Sequence, residues 1–295
     1  MTISPVSSEP KVSAYRARIN GIQLFYRDED GGEPPILLLH GLSANANCWG
    51  GVIAAGLAPQ HRVVAPDLRG RGRSEKPANG YTMADHANDV IALLDMLGLS
   101  RVAVVGHSFG GYLAIFLAAT YPDRFSKLAV IDAALQLNPR VAELLKPSLD
   151  RLGRTSPSLD AYLNEVRTAP YMNGVWDEHT DAYFRAELQE NADGTVQSAT
   201  SASAVGQAMQ GLAAEPWLQH VQSVKQPTLV LNALGAYGPP DFPPLVDEHN
   251  ARATAEAFPD ARYAVVPGNH MTMVFGEGAR VVQEQIHRFL SDDAA

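Results

Sequence analysis

Val102-Ala103-Val104-Val105-Gly106-His107-Ser108-Phe109-Gly110-Gly111 decides how the rest of the chain is read. Val102–Val105 is a continuous apolar run, as expected of a strand buried on both faces. Then comes G-x-S-x-G, spaced as Gly106, Ser108 and Gly110, and after it a second apolar stretch that reads as a buried helix. In a strand–turn–helix of this kind the turn is so sharp that the serine sits in strained backbone. Side chains two residues to either side would collide, hence the glycines. A helix opening at Phe109 points free N–H groups and the positive end of its dipole at any oxyanion forming beside Ser108. Ser108 is therefore a candidate nucleophile; the competing reading is an ordinary strand–helix turn with an incidental serine. Val102 to Pro122 contains no Asp, Glu, Lys or Arg and is long enough to imitate a membrane span. The Gly106–Gly111 interruption makes it a core strand, turn and helix instead.

Working outward, Asn20-Gly21 sits between the alternating runs Tyr15–Ile19 and Ile22–Tyr26, a strong hairpin signal. Further short apolar runs follow at Ile36–Leu39, Arg62–Ala65, Leu128–Ile131, Thr228–Leu231 and Tyr263–Val266. Thr82 and Asp85 form a capping box for a helix whose apolar positions are Met83, Ala87, Val90, Leu94 and Leu97. Ala279, Val282, Ile286 and Phe289 repeat the pattern near the C-terminus. Strands alternating with helices predict an α/β fold: a mostly parallel, doubly wound sheet with an N-terminal hairpin. The alternation stops between about Ala133 and Gln226, where prolines punctuate helices and loops and no convincing strand is visible. The expected organisation is a core of residues 1–132 and 227–295 with a helical cap, 133–226, over the carboxyl ends of the strands, where ligands bind in open α/β sheets.

The 295 residues carry 32 Asp+Glu against 23 Lys+Arg, a net charge of −9 that opposes binding to nucleic acid or anionic membranes. At 46% hydrophobic and 19% charged, the composition is that of a globular protein and excludes a disordered or collagen-like chain. One cysteine, Cys48, permits neither an internal disulfide nor a cysteine-based zinc site, and it reads as a buried inert thiol. Met1 to Lys11 lacks a basic start followed by an apolar run, so no signal peptide is expected and a cytoplasmic location is inferred by default. Oligomeric state leaves no mark on the sequence.

Nine histidines compete for the role of base. His270 follows an apolar run and the turn Pro267-Gly268-Asn269, at a strand's carboxyl end, where a base can meet Ser108. His287 lies within the last helix, His61 at the start of a strand, His86 near the start of a helix, and His107 beside the nucleophile. His40-Gly41-Leu42 follows the strand Ile36–Leu39, so the Leu42 N–H is a candidate oxyanion donor beside that of Phe109, with an ordinary turn as the alternative. His40 reads as a structural loop histidine.

Together His40-Gly41, Asp67-Leu68-Arg69-Gly70-Arg71-Gly72-Arg73-Ser74, Gly106–Gly111 and Gly268-Asn269-His270 resemble the α/β-hydrolase superfamily over most of the chain. The resemblance implies a structural role for the loop Asp67 to Ser74. It also implies a triad acid, usually placed after the strand corresponding to Thr228–Leu231. That place reads Asn232-Ala233-Leu234-Gly235 and offers no carboxylate before Asp241. Some members take the acid from the preceding strand, which here ends at Asp132. The thioesterase domains of polyketide assembly lines do so, and His270-Met271-Thr272-Met273 resembles their His-x-Thr-Met segment. Asp132 is therefore the expected acid and Asp241 the alternative.

The expected reaction is hydrolysis of carboxylic esters or related acyl bonds of a small-molecule substrate, with Ser108, His270 and Asp132 as triad. No cofactor or metal is signalled: H-E-x-x-H, a Walker loop and G-x-G-x-x-G after a strand are all missing from the sequence. Within the superfamily, a serine at position 108 excludes the dehalogenases and epoxide hydrolases, which attack with aspartate. Lactonases, thioesterases and carbon–carbon bond hydrolases survive, the last needing a carboxylate-binding arginine in the pocket. A small-ligand receptor with slow turnover is the alternative of another class. Candidates for the pocket wall are His40, His107, Trp176 and Trp217, with Tyr162, Tyr171, Tyr183 and Phe184 as further cap aromatics that equally suit plain core packing.

Overall fold

The computed structural model describes Ser4–Pro5 and residues 13–292. The reading of Met1 to Lys11 as lacking a signal peptide thus lies, but for Ser4–Pro5, outside the described residues. The strands are β1 (Ser4–Pro5), β2 (Ala14–Ile19), β3 (Ile22–Glu29), β4 (Ile36–Leu39), β5 (Val63–Pro66), β6 (Val102–His107), β7 (Phe125–Ile131), β8 (Thr155–Ser156), β9 (Leu188–Glu190), β10 (Val196–Ser198), β11 (Thr228–Ala233) and β12 (Ala261–Val266). The helices are α1 (Met83–Met96), α2 (Phe109–Thr120), α3 (Val141–Asp150), α4 (Leu159–Arg167), α5 (Glu178–Ala186), α6 (Ala202–Ala213), α7 (Trp217–Ser223), α8 (Glu248–Ala257) and α9 (Gly276–Ser291), with short helical turns between Ala46 and Gln60.

Nine strands form one sheet in the order β1-β2-β3-β5-β4-β6-β7-β11-β12. From β5 to β12 neighbours run parallel, whereas β1, β2 and β3 join antiparallel. The β2–β3 hairpin pairs Ile19 with Ile22 across Asn20 and Gly21, both at positive φ (48° and 83°), as a two-residue primed turn demands. In β4 every side chain is buried. Ile36 and Leu38 face one apolar layer with α9, while Leu37 and Leu39 face the other with α1 and α2. Burial on both faces explains why β4 and β6 read as unbroken apolar runs. Truncating Leu37, Leu38 or Leu39 to alanine costs about 2–5 kcal/mol. Thr82 caps α1 with the reciprocal Thr82–Asp85 bonds the sequence predicts.

The segment between β7 and β11 holds α3 to α7, and here the sequence reading needs a correction. It also contains strands: β8, β10 and β9 form a small antiparallel sheet. Strands of two or three residues are too short to show alternation, and the turn that joins β9 to β10, with Gly194 at φ 81°, looks like any polar loop. Among the described residues no helix is long and apolar enough to cross a membrane.

Candidate active site

Strand β6 runs between β4 and β7 in the middle of the sheet and ends at the turn that carries Ser108. Ser108 has φ 55° and ψ −120°, a region a non-glycine residue enters only when its surroundings hold it there. Its amide donates to Ile131 O at 2.8 Å, so β7 anchors the turn. A Cβ on Gly106 would stand 2.0 Å from Gly110 O, and one on Gly110 would stand 2.1 Å from Leu39 O. The glycine spacing read from the sequence is thus a steric requirement between backbone atoms, which cannot move aside.

His270 lies in the loop after β12. Its Nε2 stands 3.1 Å from Ser108 Oγ and its Nδ1 stands 2.6 Å from Asp132 Oδ2. Asp132 follows β7 at φ 51°, a second strained non-glycine backbone in the same cluster. Its other oxygen, Oδ1, accepts from Asn232 Nδ2 at 2.8 Å and from the Ala233 amide at 3.0 Å. Asn232 is itself held by Tyr263, whose hydroxyl donates to Asn232 Oδ1 at 3.1 Å. Asn269 fixes the loop: its Oδ1 accepts from the Met271 and Thr272 amides and its Nδ2 donates to Tyr171 O and Ala236 O. Asp241, the alternative acid, is exposed in a proline-rich loop, and the carboxylate bonded to His270 Nδ1 is that of Asp132.

Two more histidines brace this cluster. His107 is buried against the His270 ring, 4.7 Å between centroids, and its Nε2–H donates to the His270 carbonyl at 2.9 Å. Burial first, and then the neighbouring His270, hold its pKa well below the ordinary histidine value. His40 accepts the Leu68 amide on Nε2 and donates Nδ1–H to Gly41 O. Burial dominates there too and lowers its pKa to about 3, so the ring is a neutral splint at working pH. Arg71 is fully buried and donates from Nε to Leu42 O at 2.9 Å; its guanidinium lies 5.2 Å from the Phe109 ring centre. His86 Nε2 accepts from Arg71 Nη1. Nearby, Arg69 pairs with Asp89 through two bonds of 2.6 and 2.7 Å. The loop Asp67 to Ser74 thus props the turn at Leu42. The Leu42 and Phe109 amides donate to no acceptor among the described residues.

A cavity of about 60 Å³ opens over Ser108 and His270, walled in part by His107, Tyr183, Arg151 and Tyr237. His107 and Tyr183 were readable as wall candidates; three other expectations fail. His40 is sealed inside its loop by the two bonds above and does not reach the cavity. Trp176 stacks on Phe184, 5.5 Å apart and 6° from parallel, beneath Arg167. Trp217 packs on Tyr112 and donates to Leu212 O. Both tryptophans border neither this cavity nor the larger one beside it, because apolar ring surface was better buried against other rings. Tyr171 borders the neighbouring cavity; Tyr162 and Phe184 pack in the core. Cys48 is buried at the cavity edge, where burial pushes its thiol pKa well up. Arg151, Tyr237 and Asn232 escaped the sequence reading. Only Asn232 carried a signal, standing where a carboxylate was expected and absent. Among the described residues no cluster of three or more His, Cys, Asp or Glu could hold a metal ion.

The chain is 39% identical over 122 residues to a soluble epoxide hydrolase of Corynebacterium sp. (strain C12), a match covering 41% of this chain and 42% of that one. It is 27% identical over 257 residues, 86% of each chain, to 2-(acetamidomethylene)succinate hydrolase of Mesorhizobium japonicum. An uncharacterized protein of Mycobacterium tuberculosis is 43% identical over 103 residues, and there the match spans only 30% of the relative's length. Among solved structures, E-2-(acetamidomethylene)succinate hydrolase superposes with a TM-score of 0.82 at 24% identity, covering 95% of this chain and 99% of that one. A thioesterase domain from the curacin biosynthetic pathway superposes at 0.76 and 21%, covering 94% and 100%. At these identities the superpositions speak for the fold alone. The family model described as alpha/beta hydrolase fold matches residues 34–277, from just before β4 to the start of α9, and with the sheet order and the serine turn described above it places this chain in the α/β-hydrolase family.

Proposed function

We propose that this hydrolase-family protein cleaves carboxylic esters or closely related acyl bonds through an acyl-enzyme on Ser108. The observation that carries the reading is the unbroken line from Ser108 Oγ to His270 Nε2 (3.1 Å) and from His270 Nδ1 to Asp132 Oδ2 (2.6 Å). Ser108 attacks the carbonyl as His270 takes its proton. Asp132 keeps that ring in the tautomer with the proton on Nδ1 and stabilises the imidazolium. The tetrahedral oxyanion is received by the Leu42 and Phe109 amides, each contributing about 3–4 kcal/mol to the transition state. His270 then protonates the leaving group and activates water against the acyl-enzyme. Residues 133–226 are read as the cap, since Tyr183 and Arg151 from that segment border the cavity over Ser108.

The 27% identical relative favours a second reading on the same triad, an acyl bond other than an ester, because its named substrate carries an acetamido group. The test is a steady-state panel of nitrophenyl esters of rising acyl length, a lactone, an acyl thioester and an N-acyl compound, with Ser108→Ala as blank. Turnover that falls at least ~10³-fold in Ser108→Ala supports the mechanism. Turnover retained in Ser108→Ala overturns it. Serine-dependent release of about one equivalent, then arrest, favours a ligand receptor.

A further inference from the structure

The cavity over Ser108 is walled by neutral and apolar side chains except at one place. Arg151, immediately after α3, is the only Asp, Glu, Lys or Arg that borders it among the described residues. Its counter-charge lies behind it. Glu187 borders neither this cavity nor the neighbouring one, and the two residues meet at a single 3.5 Å contact. A well-made buried arginine–carboxylate pair is bidentate at about 2.7–2.9 Å, so this guanidinium is under-coordinated. Both side chains are buried, yet Arg151 Nε finds no acceptor and Glu187 Oε2 finds no donor. What holds Arg151 in place is Tyr171, whose hydroxyl accepts from Nη1 at 2.6 Å, and the faces of Tyr171 and Phe184 at 5.6 and 5.9 Å.

We propose that Arg151 anchors an anionic group of the substrate, so that the preferred substrate is a short acyl compound carrying a carboxylate. The proposal rests on the acyl-enzyme reading above and names its substrate class. A guanidinium that borders an otherwise uncharged cavity and is tied to its own carboxylate by one 3.5 Å contact is where a substrate carboxylate gains most, since no acid competes from the same wall. Ser148 and Tyr237, whose hydroxyls lie 3.0 Å apart on that wall, offer neutral hydrogen bonds to the same group. The neighbouring cavity, about 150 Å³, shares only Arg151 and Tyr237 with the first. Its other charged lining residues, Glu143 and Glu165, are paired with Arg140 and Arg154 and disfavour an anion there. The carboxylate therefore sits on the Ser108 side of Arg151.

The experiment compares mono-nitrophenyl glutarate with nitrophenyl pentanoate, near-isosteric esters with and without the charge, with Ser108→Ala as blank for both. Wild type is expected to favour the glutarate ester in kcat/KM by on the order of 10- to 100-fold, the scale of one charge-assisted contact. Arg151→Met combined with Glu187→Gln, which leaves no lone charge inside, abolishes that ratio. Glu187→Gln alone raises it, through KM, by removing the competing carboxylate. A wild-type ratio at or below one overturns the proposal, as does a ratio unchanged in a double variant of native melting temperature. Should the double variant fail to fold, wild-type inhibition decides: glutarate is expected to compete and glutaramide not, and equal effects overturn the proposal. Turnover that persists in Ser108→Ala instead sinks the acyl-enzyme reading beneath it.

Discussion

Asp132→Asn separates the geometry of the triad from its charge. Oδ1 of Asp132 accepts two hydrogen bonds, from Asn232 Nδ2 and the Ala233 amide, while Oδ2 faces His270 Nδ1. An asparagine at 132 keeps its carbonyl oxygen where those two donors are, since turning round would set N–H against N–H twice. Its NH₂ is then forced toward His270 Nδ1, which accepts instead of donating. The imidazole proton moves to Nε2, and the ring loses the lone pair that takes the proton from Ser108. The fold loses one charge-assisted bond, about 1.5–3 kcal/mol, and the second N–H of the new amide, buried where Oδ2 had only His270 Nδ1 as partner, adds about 1–3 kcal/mol. Activity falls far more: a wrong tautomer costs roughly 10⁴-fold in kcat. The assay is kcat on a short-chain nitrophenyl ester from pH 6 to 9 beside a melting curve. A folded Asp132→Asn with more than about a tenth of wild-type kcat refutes the reasoning. Loss of turnover in Asp241→Asn alone would refute the assignment of the acid.

Three further outcomes are expected. His40, His86 and His107 all have pKa values lowered chiefly by burial, so between the ordinary histidine value and their folded values the unfolded chain binds more protons. Stability then falls as pH drops below about 6.5, with a limiting slope of roughly 4 kcal/mol per pH unit for the three together; urea midpoints unchanged from pH 7 to pH 5 would contradict this. Gly106→Ala places a Cβ 2.0 Å from Gly110 O and is expected to cost several kcal/mol and most of the activity, so a variant within about 1 kcal/mol of wild type would show that the turn can relax. A cavity of about 60 Å³ is small beside the roughly 300–1,000 Å³ of ordinary ligand pockets, so kcat/KM should decline from acetyl and butyryl toward decanoyl esters. A preference for the longest chains would mean that the roof opens.

The serine turn was legible because its constraints are local: Gly106, Ser108 and Gly110 clash or fit within one turn of chain. The parallel strands were legible because burial on both faces leaves unbroken apolar runs such as Ile36–Leu39. The carboxylate beside His270 was readable only through the family resemblance, which allows an acid after the earlier strand when none follows β11; Asp132, at that place, is the residue that meets His270 Nδ1. What no spacing could reveal is that Asn232, on β11, reaches across to Asp132 Oδ1. The cavity wall was the least legible part. Trp176 and Trp217 looked like wall residues and are packed elsewhere, whereas Arg151 and Tyr237 reach it from segments 86 positions apart in sequence, by long-range packing. Strands as short as β8, β9 and β10 leave no periodicity to detect.

The way Asp132 is held has a consequence for how damage to the protein would first be noticed. Its amide donates to Leu231 O and its carboxylate receives the Ala233 amide, so the residue is stitched to β11 on both sides. A shear of a few tenths of an ångström along the β7–β11 seam would leave the apolar layers packed. It would still rotate the carboxylate away from His270. Turnover therefore works as a strain gauge on that seam, and under mild denaturant or pressure it should fade while bulk fluorescence still reports an intact fold.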